Sequence, residues 1–354
     1  MKRALLFLDK MLGNAAISAC SILRNKTVRC DAPERFLFIR PGGIGDAVLL
    51  LKAIQTLKTA NPIATIDVLA ETRNADVFSL LSSVHTTYRY DVPREFLSCL
   101  TNRYHAVIDS EQWYKLSAVV GSIVRASVRV GFSTNERRQL LDIALPYAPD
   151  EYEERSFLRL VKPFVSPSLQ HNGAPPMIRC SSNFGLPNPL SDRTIIAVAP
   201  GSTVAEKVWY QERYISVITQ LSQKKLSIIL LGGKADTAMA REIAAQCPDC
   251  INLCGTTSLT DAVSVLQHCQ LLISPDCGIM HLAYVAGIKT LSLFGPSNPL
   301  KWAPSGPHHK QIWKNLPCSP CSQFGTIPPC PHNGACMKQI FPEEVVAAAL
   351  ELLE

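Results

Sequence analysis

Short apolar runs recur along the chain, separated by longer stretches of mixed character. In the first half they fall at Phe36 to Arg40, Ala64 to Ala70, His105 to Asp109 and Val128 to Gly131. In the second half they fall at Thr194 to Ala199, Leu226 to Leu231, Cys269 to Ile273 and Thr290 to Phe294. Runs this short, without an alternating polar face, predict strands buried on both sides. The stretches between them are long enough for helices, and that alternation predicts an α/β chain with parallel sheets covered on both faces. Between the halves, 165–192 holds Pro167, Pro175, Pro176, Pro187 and Pro189 and reads as a linker. The expected organisation is an arm at 1–34, one domain at 35–180 and a second at 181–354. Two such halves place a cleft between the carboxyl ends of two sheets, where ligands bind. The last stretch, Pro342 to Leu353, predicts a helix that stays on the second half or crosses back to the first.

Composition narrows the picture. A chain of 354 residues suffices for two cores, and 47% hydrophobic with 18% charged residues describes a globular protein, not a disordered one. No apolar run approaches the roughly 18 residues of a spanning helix. The net charge of +6 is concentrated: residues 1–30 set Lys2, Arg3, Lys10, Arg24, Lys26 and Arg29 against Asp9, a balance of +5. Residues 181–354 carry twelve charges of each sign, and no basic stripe interleaved with aromatics points to nucleic acid. The arm also places Leu5, Leu8, Leu12, Ala16, Ala19 and Leu23 at helical spacing. A basic helix lying on an anionic membrane surface fits this pattern, and so does a helix packed on the body. A signal peptide fits less well, because Asp9 and Lys10 interrupt the apolar core; the same break argues against reading Ile17-Ser-Ala-Cys20 as a lipoprotein cleavage box. Thirteen cysteines, with Cys254 and Cys269 in apolar runs, predict buried thiols in a reducing compartment rather than a disulfide framework.

Four motifs carry candidate chemistry. The first, Arg40-Pro-Gly-Gly-Ile-Gly-Asp46, follows a strand and opens a helix, with Gly43 and Gly45 permitting close approach of a ligand to the backbone. A dinucleotide fingerprint with Asp67 or Glu71 as ribose acid fits poorly, since its third glycine position falls on Val48. Asp46 either caps its helix or, at a strand end facing the cleft, acts as general base toward a hydroxyl group. In the second motif Gly201 opens a turn, Ser202 and Thr203 offer hydroxyls to phosphate oxygens, and Lys207 offers a cation to a departing diphosphate. The competing reading makes Lys207 a surface residue beside the core anchor Trp209. No Asp-x-Asp sequence is present to hold Mg²⁺, which favours a metal-independent reaction. The third motif, Ser274-Pro-Asp-Cys-Gly-Ile-Met-His281, sets fresh helical N–H groups at a strand end, a ready phosphate site. There Asp276 can accept bonds from sugar hydroxyls, the amides around Gly278 can take a diphosphate, and His281 faces the same ligand. The fourth comprises Cys318, Cys321, Cys330 and Cys336: either a tetrahedral thiolate site for structural zinc or iron, or free or partly disulfide-linked loop thiols.

As a set, these motifs resemble glycosyltransferase family nine, the bacterial lipopolysaccharide heptosyltransferases. The resemblance runs from about residue 35 to the C-terminus. It rests on Ile39 to Asp46, Pro200-Gly-Ser with Lys207-Val-Trp209, Leu231-Gly-Gly233, Gly255 to Leu259, Asp276 to His281 with Leu-Ala, and Phe294-Gly-Pro296. It implies a GT-B fold, two Rossmann-like domains with parallel sheets facing a central cleft. The acceptor, on the side of Gly43 and Gly45, would lie on the N-terminal domain and the nucleotide-sugar on the C-terminal one. It also implies an inverting transfer without cofactor, usually from ADP-L-glycero-D-manno-heptose to Kdo or heptose of the inner core. By resemblance Asp46 matches the catalytic base and Lys207 the diphosphate-binding lysine; Gly201, Ser202, Thr203, Asp276, Gly278 and His281 match donor contacts. The arm would hold the enzyme at the cytoplasmic face of the inner membrane. Two features depart from the family: Cys277, where several members carry Thr, and the arm before Phe36. They leave open another nucleotide-sugar, a protein acceptor, or a non-catalytic sugar-nucleotide-binding protein.

Overall fold

A computed structural model of the chain describes residues 2–23, 34–166, 176, 178, 184, 193–323 and 326–354. The chain divides into two units, Met1–Met177 and Ile178–Glu354. Most of the expected proline linker, and the arm cations Arg24, Lys26 and Arg29, lie outside the described residues.

The first unit is built on one parallel sheet of β1 (Arg35–Arg40), β2 (Thr65–Ala70), β3 (Val84–Arg89), β4 (Arg103–Asp109), β5 (Arg125–Phe132) and β6 (Ile143–Leu145). Its helices are α1 (Lys2–Leu23), α2 (Ile44–Ala60), α3 (Pro93–Thr101), α4 (Leu116–Ile123) and α5 (Glu153–Val161). The strand order β3-β2-β1-β4-β5-β6 reverses direction at β1. β1 takes the centre because Phe36, Leu37, Phe38 and Ile39 are apolar on both faces, and all four are buried. Ile39 pairs in register with Asp109, so the chain leaving β1 and the chain leaving β4 part company side by side. In open α/β sheets that switch point is where ligands enter.

The second unit repeats the plan. Its strands are β7 (Ile195–Val198), β8 (Ser227–Leu230), β9 (Ile251–Asn252), β10 (Leu271–Pro275), β11 (Lys289–Phe294) and β12 (His309–Trp313), in the parallel order β12-β11-β10-β7-β8-β9. Its helices are α6 (Gln211–Gln223), α7 (Thr237–Gln246), α8 (Leu259–Gln267), α9 (Gly278–Val285), α10 (Pro299–Trp302), α11 (Ala335–Lys338) and α12 (Pro342–Leu353). The order reverses between β7 and β10, where Val198 pairs with Ile273. Helix α12 stays on this unit, packing Val345, Ala349 and Leu352 into the core with Val217 and Leu221 of α6.

Helix α1 is fixed to the first unit. Ile17 is buried against Ala118 and Leu140, and Asp9 Oδ1 accepts from the amides of Lys115 and Leu116 at 2.7 and 2.8 Å. Asp9 therefore supplies the N-terminal cap that α4 lacks locally. Among the described side chains the inward face is Asp9, Gly13 and Ile17, while Leu12 and Ala19 of the apolar stripe are exposed and Ala16 is half-buried. The Ile17 to Cys20 box lies inside this packed helix.

Candidate functional site

At the switch point of the first sheet the chain leaves β1 through Pro41–Gly43 and enters α2, whose first turn holds Gly45 and Asp46. Asp46 does not bond the amides of its own helix. Its Oδ1 accepts from Gln112 Nε2 at 3.1 Å and lies 3.9 Å from Arg40 Nη1, while Oδ2 takes no hydrogen bond among the described residues. A side chain at Gly43 would come within 3.1 Å of that free Oδ2. The carboxylate is about a quarter exposed, 23%, which leaves it accessible to a ligand.

Behind it the charges are buried. Arg40, 2% exposed, donates to Glu111 Oε2 at 3.0 Å, to the Ser110 carbonyl at 2.9 Å, and to Gln112 Oε1 at 3.3 and 3.4 Å. Burial works against this guanidinium's charge, but Asp46, Glu111, Glu153 and Asp109 together hold its pKa above the ordinary arginine value. Burial pushes the Glu111 carboxyl up against the opposing pull of Arg40 and Arg137. Gln112 Nε2 also donates to Glu153 Oε1 at 2.6 Å, and Tyr147 donates to Glu153 Oε2 at 2.9 Å. Glu153 is the first residue of α5, where a helix N-terminus favours an anion.

The second sheet presents a different chemistry at its own switch point. The loop after β7 carries Gly201, Ser202, Thr203 and Lys207; the loop after β10 carries Asp276 and leads into α9 at Gly278. Lys207 Nζ pairs with Asp276 Oδ2 at 2.6 Å, and Ser202 Oγ donates to the Asp276 carbonyl at 3.3 Å. Burial alone would raise the Asp276 carboxyl, but the Lys207 ammonium, the Ser297 hydroxyl and the nearby His281 outweigh it and hold it below the usual carboxylate range. Glycine is needed at 201 because a Cβ there would lie 1.8 Å from Asp236 Oδ1. Asp236 itself accepts from the Gly233 amide at 2.8 Å, within the turn that follows β8. Thr203 is exposed. His281 is buried, 2% exposed, with its ring edge-on to Trp302, so it sits beneath the loop rather than on its surface. Cys277 precedes the first turn of α9, and burial raises its thiol pKa to about 11 against the favourable amides of Met280 and Ile279.

The cysteine loop is less ordered toward one purpose. Burial raises the thiol pKa values of Cys321 and Cys336, and the charges of Cys330 and its neighbours add to the shift. Cys330 Sγ accepts from the Gly334 amide at 3.3 Å. Among the described residues, however, no three Cys, His, Asp or Glu side chains are gathered closely enough to hold a metal ion. All four loop thiols are unpaired. Burial likewise raises Cys254 and Cys269 to about 12, as expected of thiols used as small hydrophobes.

The sequence singled out Asp46, Lys207 and Asp276, which the structure sets at the two switch points, but not the neighbours Gln112 and Glu153 or the place of Arg40 behind Asp46. The available signal was position: Glu111 and Gln112 directly follow a buried strand, at the end where ligands gather.

Comparison with known proteins bears on the fold and the family. Lipopolysaccharide heptosyltransferase 2 of Salmonella typhimurium is 26% identical over 307 residues, covering 75% of this chain and 84% of its own length. The structure of E. coli ADP-heptose lps heptosyltransferase II superposes with a TM-score of 0.72 at 22% identity, covering 90% of this chain and 98% of that one. E. coli heptosyltransferase WaaC with ADP gives a TM-score of 0.73 at 18% identity, covering 90% and 99%. The GT-B fold expected from the motifs is the fold of these neighbours. The sequence profile of glycosyltransferase family 9 (heptosyltransferase) matches residues 96–330, and the chain is therefore a glycosyltransferase belonging to that family.

Proposed function

We propose that the protein transfers heptose from ADP-heptose to a Kdo or heptose residue of the lipopolysaccharide inner core, with inversion and without a metal ion in the reaction. The acceptor hydroxyl attacks the anomeric carbon, its proton passes to Asp46 Oδ2, and the bond to the diphosphate breaks on the opposite face. The observation that carries this reading is the asymmetric Asp46 carboxylate, with Oδ1 anchored by Gln112 and Oδ2 unbonded at a sheet's switch point. Lys207 and the first amides of α9 would take the charge that develops on the departing ADP, the work a metal ion does elsewhere. The relatives named above are lipopolysaccharide and ADP-heptose heptosyltransferases, which supports the choice of donor and acceptor.

The test is direct. Purified protein, ADP-L-glycero-D-manno-heptose and a Kdo-bearing core acceptor should give a heptosylated acceptor and ADP, unaffected by a chelator. Transfer from another nucleotide-sugar but not this one would move the protein to a different donor class.

The same reading places the enzyme on the cytoplasmic face of the inner membrane. The outward side of α1 supports it: Met11, Leu12, Ala15, Ala19 and Ile22 are exposed, Ile22 at 83%. Lys2, Arg3 and Lys10 precede or border this strip in sequence and Arg24, Lys26 and Arg29 follow it. An apolar strip set among cations suits an anionic lipid surface. A zinc or iron ion at the cysteine loop would be structural and take no part in transfer. Its donors would be four thiols, which would have to draw together and lose their protons.

A further inference from the structure

We propose that Gln112 and Glu153 are positioning residues that hold the Asp46 carboxylate in its working orientation; this rests on the reading of Asp46 as the base. The Gln112 side chain is an amide that makes four contacts to three neighbours arranged by sign. Its oxygen faces the Arg40 guanidinium at 3.3 and 3.4 Å, and its nitrogen donates to Asp46 Oδ1 at 3.1 Å and Glu153 Oε1 at 2.6 Å. Turning the amide over would point its oxygen at two carboxylates and its nitrogen at a cation, so only one orientation is stable. Glu153 is fully buried and fixed in turn by Tyr147 at 2.9 Å, and Thr134 Oγ1 holds the Gln112 backbone carbonyl at 2.7 Å.

The consequence falls on Asp46. A carboxylate in the first turn of a helix can rotate to bond its own backbone amides, which would occupy the oxygen that must take a proton. Gln112 draws Oδ1 away toward β4 and leaves Oδ2 open. Neither Gln112 nor Glu153 needs to touch substrate for this. Their effect should appear in turnover rather than in donor binding, since misplacing a base acts on the transition state.

The experiment compares Gln112→Leu, Glu153→Leu and Glu153→Gln, each also combined with Asp46→Asn, after thermal melts confirm folding. Gln112→Leu should lower kcat by roughly ten- to a hundredfold with donor KM unchanged, the scale of loss expected from a displaced catalytic group. Glu153→Leu should do the same. Glu153→Gln keeps an acceptor oxygen for Gln112 and should restore kcat to within about threefold of wild type, because a neutral acceptor still fixes the amide. In the Asp46→Asn background, Gln112→Leu should cost nothing further, because the group it positions is gone. Should Gln112→Leu not fold, Gln112→Asn keeps the polarity but shortens the reach and should show the same kcat loss. Wild-type kcat in Gln112→Leu, or an equal loss with and without Asp46→Asn, overturns the proposal while leaving Asp46 as base. A wild-type rate in Asp46→Asn alone would overturn the base reading itself.

Discussion

The proposed contact with a diphosphate rests on the Lys207–Asp276 pair of the second unit. Both groups are largely withdrawn from water, and Asp276 is held ionised mainly by Lys207. Replacing Lys207 by Ala removes a charge-assisted contact and should weaken ADP-sugar binding by about 1.5–3 kcal/mol in calorimetry. The pair also predicts a pH dependence. Asp276 is depressed in the folded state, so the unfolded chain takes up its proton first as pH falls, and the pair's contribution to stability is lost on acidification. It is fully present above about pH 4, the ordinary aspartate value, and disappears as pH drops through the lower folded value. The melting-temperature gap between wild type and Lys207→Met should therefore be wide at pH 7 and narrow below pH 4; a gap independent of pH would mean the pair contributes no such term. Asp46, Lys207 and Asp276 were legible because each sits in a short motif at a strand end. Gln112 lies 66 residues from Asp46, and only the pairing of β1 with β4 makes them neighbours, so no local spacing could announce the contact.

Elements show the same divide. The eight strands legible from apolar runs lie in the interior of the two sheets. The four that were not, β3, β6, β9 and β12, are the four sheet edges. Edge strands need no double-sided burial: β3 reads Val-His-Thr-Thr-Tyr-Arg and β12 His-Lys-Gln-Ile-Trp, polar enough to blunt the edge and too polar to stand out. Helix α1 was ambiguous for a related reason. Spacing identified an amphipathic helix, but one apolar stripe could not say which face met the body; Asp9, read as a break in the apolar core of a signal peptide, is the residue that fastens it. With that face committed, the exposed strip should bind lipid. Chain lacking residues 1–30 should lose cosedimentation with vesicles containing anionic phospholipid, and Ile22→Glu should weaken it, while transfer to a water-soluble acceptor persists. Equal cosedimentation of full-length and shortened protein would remove the membrane role from α1. For the cysteine loop, elemental analysis of gently purified protein should find zinc or iron near one equivalent if the thiols close round an ion; below about a tenth, with the fold intact, they are free loop thiols.

At the scale of the whole molecule, one strand order is used twice, with a different grouping of charges at each switch point. Each unit carries its candidate groups where the strand order reverses. In the first, carboxylates outnumber the guanidiniums they surround, and Asp46 Oδ2 takes no hydrogen bond among the described residues. In the second, Lys207 pairs with Asp276 beside the start of α9. Division of labour on this pattern predicts separable defects: changes around Asp46 should spare donor binding, and changes at Lys207 should not. The most direct measurement is turnover of Asp46→Asn with ADP-heptose and a core acceptor, alongside its affinity for the donor. The substitution keeps size and a hydrogen-bonding oxygen for Gln112 but removes the base. The account predicts an intact fold, unchanged donor affinity, and a kcat lower by roughly a hundredfold to ten-thousandfold, the usual effect of losing a general base. Transfer by Asp46→Asn at near the wild-type rate would contradict it and require another group to take the proton.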